Sequence, residues 1–250
     1  MKKPNFYQTL QFLILSGFTA YITWLLISKR ILFFLNPKMI PFQYFALGVF
    51  LILMLHQAFQ LFKPGNRGIG PWYILFILPL LLGFSINPSG LNESAAGQRG
   101  IRISSEPGKA VYAQSYEELL SQTEPEDTIE LIPEFFYSGV EHIYAYTDDY
   151  LGKRISLEGF VHRLSNSGDN EFFIVRMLIV CCAAGGVLTG LLLEGEEGGR
   201  FEEGGWVRVE GQLDKTLFND PWKKREYYIP SIRAGRIISI DRPATPYIYP

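Results

Sequence analysis

The first ninety residues contain three long runs of hydrophobic positions with almost no polar interruption. A helix of about 20 residues spans the ~30 Å hydrocarbon layer of a membrane, and a helix without a polar face is atypical of soluble proteins. The pattern therefore predicts a membrane region at residues 1–90. Its three transmembrane helices are predicted at residues 9–27, 39–62 and 69–86.

The pattern changes in the last hundred residues, where apolar and polar positions alternate in short runs. Alternation of this kind predicts strands, and glycines between and within the runs are typical of sharply bent sheets. Residues 150–250 are therefore predicted to form a small, mostly-β, OB-like barrel, with a β-sandwich fragment as the alternative. The five strand segments are residues 153–164, 171–180, 186–195, 206–213 and 227–240.

The intervening residues, 91–149, read as a linker with a short helix and an irregular segment. Small and turn-forming residues dominate its start. Farther on, Ser115 and Glu118 in "SYEELL" have the spacing of a helix capping box, although an exposed turn fits the same stretch. The predicted fold class is thus a membrane-anchored α+β protein.

Charge separates the two ends of the chain. Residues 1–98 carry seven Lys or Arg and one acidic residue, whereas residues 99–250 carry 16 basic and 24 acidic residues. An acidic β domain is a poor partner for nucleic acid, and we interpret its one basic and aromatic stretch, "KKREYY" at 223–228, as a solvated hairpin. The expected surroundings are the lipid bilayer for the first half and water for the second.

Orientation is only weakly encoded. Lys and Arg prefer the cytoplasmic side, but they are almost evenly divided between the two sides of the predicted helices. A short, basic N-terminus on the inside places the soluble domain outside after three crossings. We therefore expect a multi-pass protein of the cell membrane with an extracytoplasmic C-terminal domain.

The two cysteines of the chain are adjacent, Cys181 and Cys182, in "FFIVRMLIVCCAAGG". Successive strand residues point to opposite faces, so both thiols reach one ion only if a bulge or turn lies there. A structural zinc site needs about four ligands, and His142 and His162 are the candidates for auxiliary ligands. Three interpretations stay open: small core residues, a thiolate site for zinc or another soft metal or metalloid, and a redox pair.

Arg176 interrupts an otherwise apolar strand five residues before the cysteines. A buried arginine needs a partner. Glu158 on the preceding strand is the predicted partner in a buried ion pair, with binding of an external anion as the alternative.

Motifs of catalysis are missing from the sequence. It contains no phosphate-binding loop, no His-Glu zinc motif and no recognisable nucleophile, base and acid set. We therefore expect a protein that is not an enzyme and has no cofactor beyond the zinc or other soft metal considered above.

Several stretches together resemble a known family. They are "SAAGQRG" after the last apolar run, "FFIVRMLIVCCAA", "WVRVEGQL" and the tail "IPSIRAGRIISIDRPATPYIY". They resemble the YcgQ-type family of bacterial two-component permease subunits, which have N-terminal membrane spans and a C-terminal domain of unknown function. The family continues Cys-Cys-Ala-Ala with Asp-Ala, where this chain has Gly185 and Gly186.

The resemblance implies a separate multi-span permease as partner in a bacterial cell membrane. The expected function is a non-enzymatic membrane subunit whose β domain is a binding or regulatory module, with a soft metal or metalloid as its candidate ligand. The first alternative is a free-standing, membrane-tethered metal sensor. The second is a membrane-anchored enzyme with an unrecognised site.

Overall fold

A computed structural model describes most of the chain, which divides into two compact units, Met1–Gly90 and Leu91–Pro250. The capping-box helix at 115–118, most of the linker and the turn at 165–170 lie outside the described residues. The described residues are 6–62, 71–85, 101, 128–164, 171–195, 198–220 and 224–250.

The described part of the first unit is mainly helical. Short 3-10 turns precede its second and third helices at Pro37–Met39 and Pro71–Tyr73. The runs of apolar residues explain why these segments are helical, since a helix satisfies its own backbone groups. The helices are α1 (Phe6–Ile27), α2 (Ile40–Gln60) and α3 (Ile74–Ser85).

Two of the three predicted segments form helices that are long and apolar enough to cross a membrane. The segments Phe6–Ile27 and Pro37–Gln60 are 22 and 24 residues long, with a mean hydropathy of 1.8 each. The third apolar run forms a helix of only 12 residues, Ile74–Ser85, with Pro79 inside it. At 1.5 Å per residue that helix is about 18 Å long, shorter than the hydrocarbon layer.

Side-chain contacts hold the three helices together. The amide of Gln57 in α2 donates to the Gln8 carbonyl oxygen (3.2 Å) and to Oε1 of Gln11 (3.1 Å) in α1. Gly17 of α1 lies against Leu80 of α3, where an added Cβ would be 2.5 Å from the Leu80 Cδ2 atom. Polar side chains and small residues at helix contacts are typical of membrane helix packing.

The described residues of the second unit form a mixed sheet and two helices. Between residues 128 and 150, predicted as part of a linker, the structure instead has a strand and both helices. Its elements are β1 (Thr128–Leu131), α4 (Phe136–Ala145), α5 (Thr147–Tyr150), β2 (Arg154–His162), β3 (Glu171–Leu178), β4 (Val187–Glu194), β5 (Trp206–Asp220), β6 (Arg225–Ser239) and β7 (Tyr247–Ile248).

The seven strands form one sheet in the order β1-β2-β5-β6-β4-β3-β7, and β2 also pairs with β3. The pairings therefore close a cycle, which runs from β2 through β5, β6, β4 and β3 back to β2. The pairs within this cycle are antiparallel except β4 with β6, which is parallel. β1 and β7 extend the sheet in parallel with β2 and β3 respectively.

The five predicted strands coincide with β2 to β6. The main differences are that β5 runs on to Asp220 and that β6 begins at Arg225, two residues before the predicted strand. Pro230 is tolerated because β6 pairs with β4 only at Ser231, Ile232 and Arg233, so one side of the strand is unpaired at the proline.

Two glycines allow three strands to approach closely. A Cβ on Gly190 of β4 would lie 1.9 Å from the Ile174 carbonyl oxygen of β3. A Cβ on Gly159 of β2 would lie 2.7 Å from the Val175 carbonyl oxygen. Every residue of β3 after Glu171 is buried, so the core is centred on this strand.

Candidate functional site: an exposed thiol corner near a buried arginine strand

The cysteines lie at the corner between β3 and β4. β3 ends at Leu178, and the next residue, Ile179, donates its N–H to the Ile248 carbonyl oxygen at 3.0 Å. The chain then turns through a short 3-10 segment, Ala183–Gly185, before β4 begins. Cys181 is exposed and Cys182 is half-buried, so the interpretation of the pair as core residues is wrong.

The corner brings both thiols to one place. The Sγ atoms of Cys181 and Cys182 are 3.8 Å apart. A disulfide bond is about 2.05 Å long, so both residues are free thiols here. Two sulfur atoms at this separation can contact one soft ion, which regular strand geometry would prevent.

The local backbone favours a thiolate at Cys182. Its pKa is lowered from the ordinary value, first by the backbone N–H of Gly185 and then by the Cys181 thiol, with the N–H of Ala184 adding to both. Thiolates, not thiols, bind metals and react as nucleophiles. The space beside Gly185 is open, since an added Cβ there would meet nothing within 4 Å.

The two candidate histidines both have other partners. His142 lies in α4, where its Nδ1 atom is 2.9 Å from the Tyr150 hydroxyl. His162 ends β2, and its Nδ1 atom is 2.7 Å from Oε1 of Glu203. The Nε2 atom of His162 is buried without a hydrogen-bond partner among the described residues.

The described residues do not bring together a complete set of metal ligands. Within the described ranges, no group of three or more His, Cys, Asp or Glu side chains could hold a metal ion. Ligation of a metal by the cysteine pair with His142 or His162 therefore stays a prediction.

Arg176 is the largest fully buried side chain in the described part of the chain and is 1% exposed. Its guanidinium carbon lies 5.3 Å from the Trp206 ring centre and 5.8 Å from that of Phe136. None of its three side-chain nitrogen atoms has a hydrogen-bond partner among the described residues. Burial lowers its pKa, while the charges of Glu158 and Glu134 oppose this shift.

The predicted Arg176–Glu158 ion pair is corrected by the structure. Glu158 accepts from Nε of Arg208 at 2.8 Å, and the Arg208 Nη2 atom also binds this carboxylate. The physical reason is register, because Glu158 of β2 lies directly opposite Arg208 of β5. The pair is partly exposed, whereas Arg176 lies in the core.

A groove of about 740 Å³ lies across β1, β2, β5 and β6. Oppositely charged residues alternate along it, with Glu210 directly opposite Arg236. Such alternation is typical of a solvated sheet face, so we assign the groove no ligand. Its charged side chains are Glu130, Arg154, Glu210, Arg233 and Arg236.

Several partners of the candidate residues could not be found by sequence reasoning. Glu203, whose carboxylate contacts His162, is 41 residues away along the chain. Phe136 and Trp206, which cover Arg176, are each at least 30 residues away along the chain. No local motif links such residues; only the strand pairing brings them together.

Comparison with known proteins gives matches over nearly the whole chain. The DUF1980 N-terminal domain matches residues 10–102, and the DUF1980 C-terminal domain matches residues 107–250. The "UPF0703 protein YcgQ" of Bacillus subtilis is 22% identical over 282 residues, covering 95% of this chain and 98% of that protein. A Streptococcus mutans protein named "Putative two-component membrane permease complex subunit" is 19% identical, covering 96% of this chain and 98% of that protein.

Proposed function

The chain belongs to the DUF1980 family, and we propose that it is a non-enzymatic subunit of a two-component permease complex in a bacterial cell membrane. The observation that carries the proposal is similarity along the full length of a protein named as such a subunit. The partner is a separate, multi-span permease. The two long apolar helices supply a means of anchoring the chain beside it.

A partner is needed because the helices of this chain are a poor transport path by themselves. The helices α1 and α2 contain no ionisable side chains except tyrosines and His56. Transport pathways are usually lined with charged or strongly polar residues and built from several more helices. We therefore assign the solute path to the permease.

We interpret the sheet of the second unit as an OB-type barrel. The support is the cycle of pairings through β2, β5, β6, β4 and β3, with one parallel pair. A closed barrel leaves loops and corners free to bind ligands while its strands stay rigid. The corner between β3 and β4 is one of these places, and it carries both cysteines.

The thiol corner is the proposed binding or regulatory element of the subunit. Its ligand class is a soft metal or metalloid ion, such as zinc or a trivalent arsenic species. Support comes from the 3.8 Å separation of the two sulfur atoms and from the lowered pKa of Cys182. Further ligands would come from the permease, from the solvent or from His142 or His162.

The subunit proposal is tested by gentle detergent extraction of the tagged full-length chain at native expression, with mass spectrometry of the proteins that copurify. The expected result is one many-span membrane protein in constant ratio to this chain. If repeated extractions give no such protein, the free-standing metal sensor becomes the better account. A tagged, unrelated membrane protein of similar size is the control for non-specific capture.

The thiol proposal is tested on the purified full-length chain with zinc and with arsenite. We expect the native protein to bind one ion per chain, and we expect Cys181→Ser and Cys182→Ser each to lose this binding. Val180→Ala is the matched control, since Val180 is exposed at the same corner without a thiol. Equal binding by the native protein and both serine variants would exclude the site.

A further inference from the structure

The connection between α1 and α2 lies at one end of an antiparallel helix pair. Gln57, near the end of α2, donates to the carbonyl oxygen of Gln8, near the start of α1, at 3.2 Å. Halfway along the helices, the rings of Phe18 and Phe50 are 6.1 Å apart between their centres. The end of α1 and the start of α2 are therefore close together, and residues 28–39 join them through compact 3-10 turns.

Three basic residues in this connection have no acidic counterpart in their own unit. They are Lys29, Arg30 and Lys38, here called the basic loop. The sequence of the first unit, residues 1–90, contains no Asp or Glu, so no carboxylate of that unit can neutralise them. The side chains of Lys29 and Lys38 are exposed, and that of Arg30 is half-buried. The basic loop therefore adds three positive charges to one end of the helix pair.

Two aromatic side chains accompany the basic loop. The guanidinium carbon of Arg30 lies 5.2 Å from the centre of the Trp24 ring, in the last turns of α1. The Trp24 side chain is 40% exposed and that of Phe34 is 38% exposed. Tryptophan and basic residues at the end of an apolar helix are typical of the membrane–water interface.

Local hydrogen bonds set the backbone of the basic loop. Lys29 ends α1 in a left-handed conformation with φ 57°, and its N–H donates to the Leu26 carbonyl oxygen at 3.2 Å. Asn36 is 1% exposed, and its Oδ1 atom accepts from the backbone N–H of Lys38 at 2.9 Å. The contact with Asn36 does not involve the Lys38 ammonium group. The positions of these basic residues are therefore set by the loop itself.

We propose that the basic loop binds the headgroup phosphate of an anionic phospholipid, such as phosphatidylglycerol, in the membrane that the chain crosses. The proposal rests on the membrane anchoring proposed above, because α1 and α2 then hold residues 28–39 in the headgroup layer. Anionic lipid attracts each basic residue near the surface by about a factor of five in affinity. The occupant follows from depth and charge together, since lipid phosphates are the anions present at that level.

The test is native mass spectrometry of the full-length chain in detergent, titrated with one lipid at a time. The lipids are phosphatidylglycerol and phosphatidylcholine with identical acyl chains, so that only the headgroup differs. The loop variant is Lys29→Gln with Arg30→Gln. One control, Lys29→Arg with Arg30→Lys, keeps both charges in place. The other control, Lys153→Gln with Arg236→Gln, removes two charges from exposed side chains of the second unit.

The native chain should bind its first phosphatidylglycerol about tenfold or more tightly than phosphatidylcholine. The loop variant should lose about tenfold or more of its affinity for phosphatidylglycerol and keep its affinity for phosphatidylcholine. Both controls should stay within about twofold of the native chain. Lys38→Gln is a second, milder variant, for which we expect a loss of about fivefold. Circular dichroism of each variant must match that of the native protein.

Two results would overturn the proposal. Equal affinity of the native chain and the loop variant for phosphatidylglycerol would show that the basic loop does not hold the headgroup. Binding of soluble glycerol phosphate as tight as that of the lipid would assign the loop to a soluble anion instead.

Failure of the membrane anchoring itself gives a different result. The chain would then be recovered from broken cells in the aqueous fraction without detergent. The permease partner is tested separately by copurification, so loss of the lipid preference alone leaves the subunit proposal intact.

Discussion

Replacing the buried arginine with methionine should stabilise the protein. Arg176→Met removes the charge but keeps an unbranched side chain that fills most of the same space. The guanidinium is 1% exposed and has no hydrogen-bond acceptor among the described residues, so it bears the desolvation penalty of a buried charge. What offsets this penalty is the contact with the rings of Trp206 and Phe136.

The size of the effect follows from these opposing contributions. Exchanging buried charged residues for apolar ones of similar volume is neutral or stabilises by up to about 4 kcal/mol. Loss of two cation–π contacts removes about 0.5–2 kcal/mol each. Both ring centres, at 5.8 and 5.3 Å, lie near the ~6 Å limit for such contacts, so we take the low end of that range, about 1 kcal/mol for the two together. Against a gain of about 2–3 kcal/mol from removing the buried charge, the free energy of unfolding should rise by about 1–2 kcal/mol, which corresponds to a Tm increase of about 3–6 °C in a unit of this size.

The assay is thermal unfolding of the full-length protein in mild detergent, followed by intrinsic fluorescence. Arg208→Met is the matched control, because Arg208 is an exposed arginine on β5 of the same sheet whose pair with Glu158 is worth less than about 1 kcal/mol. A loss of more than about 2 kcal/mol in Arg176→Met would refute the reasoning. It would mean that the guanidinium has a compensating partner and that the buried charge is structurally satisfied.

Three further predictions concern the thiol corner and the strand crossing. Because the pKa of Cys182 is lowered, the rate of its alkylation by iodoacetamide should have a pH midpoint below the ordinary cysteine value of about 8.5. Cys181→Ser should raise that midpoint, since the Cys181 thiol is one cause of the lowered pKa. A midpoint at or above the ordinary value in the native protein would contradict the assigned contacts. Gly190→Ala should lower the free energy of unfolding by about 3 kcal/mol or more in chemical denaturation, because its Cβ would overlap a carbonyl oxygen. The control variant Gly185→Ala should change the free energy of unfolding by less than about 1 kcal/mol, because the space beside Gly185 is open. Similar effects of the two substitutions would contradict the close approach of β3 and β4. If the second unit is extracytoplasmic, a membrane-impermeant maleimide should label the exposed Cys181 in intact cells. Labelling only after lysis would show that the second unit lies on the cytoplasmic side.

The sequence predicted best those elements whose pattern does not depend on residues far away along the chain. Apolar runs long enough to cross a bilayer predicted α1 and α2, and alternation predicted the positions of β2 to β6. The helix α4 was missed because "FYSGVEHIYA" mixes aromatic, β-branched and glycine residues that are poor helix formers, and burial in the domain stabilises it instead. The shortness of α3 was also missed, because hydropathy extends farther along the chain than the described helix does.

The candidate site was predictable in its residues but not in its geometry. Adjacent cysteines are visible in any sequence, yet their exposure depends on a corner that forms only when β3 and β4 pair. The partner of Glu158 could not be chosen from the sequence, because a one-residue change of register exchanges the two faces of a strand. Arg176 was recognised as unusual, but its aromatic surroundings come from two elements distant along the chain.

Native mass spectrometry of the complex extracted with the tagged full-length chain tests the central claim most directly. The account predicts an intact mass equal to a whole number of 28.5 kDa chains plus that of a many-span permease, with both proteins released on activation. Masses that are multiples of 28.5 kDa alone, found in every detergent that keeps the protein folded, would contradict it.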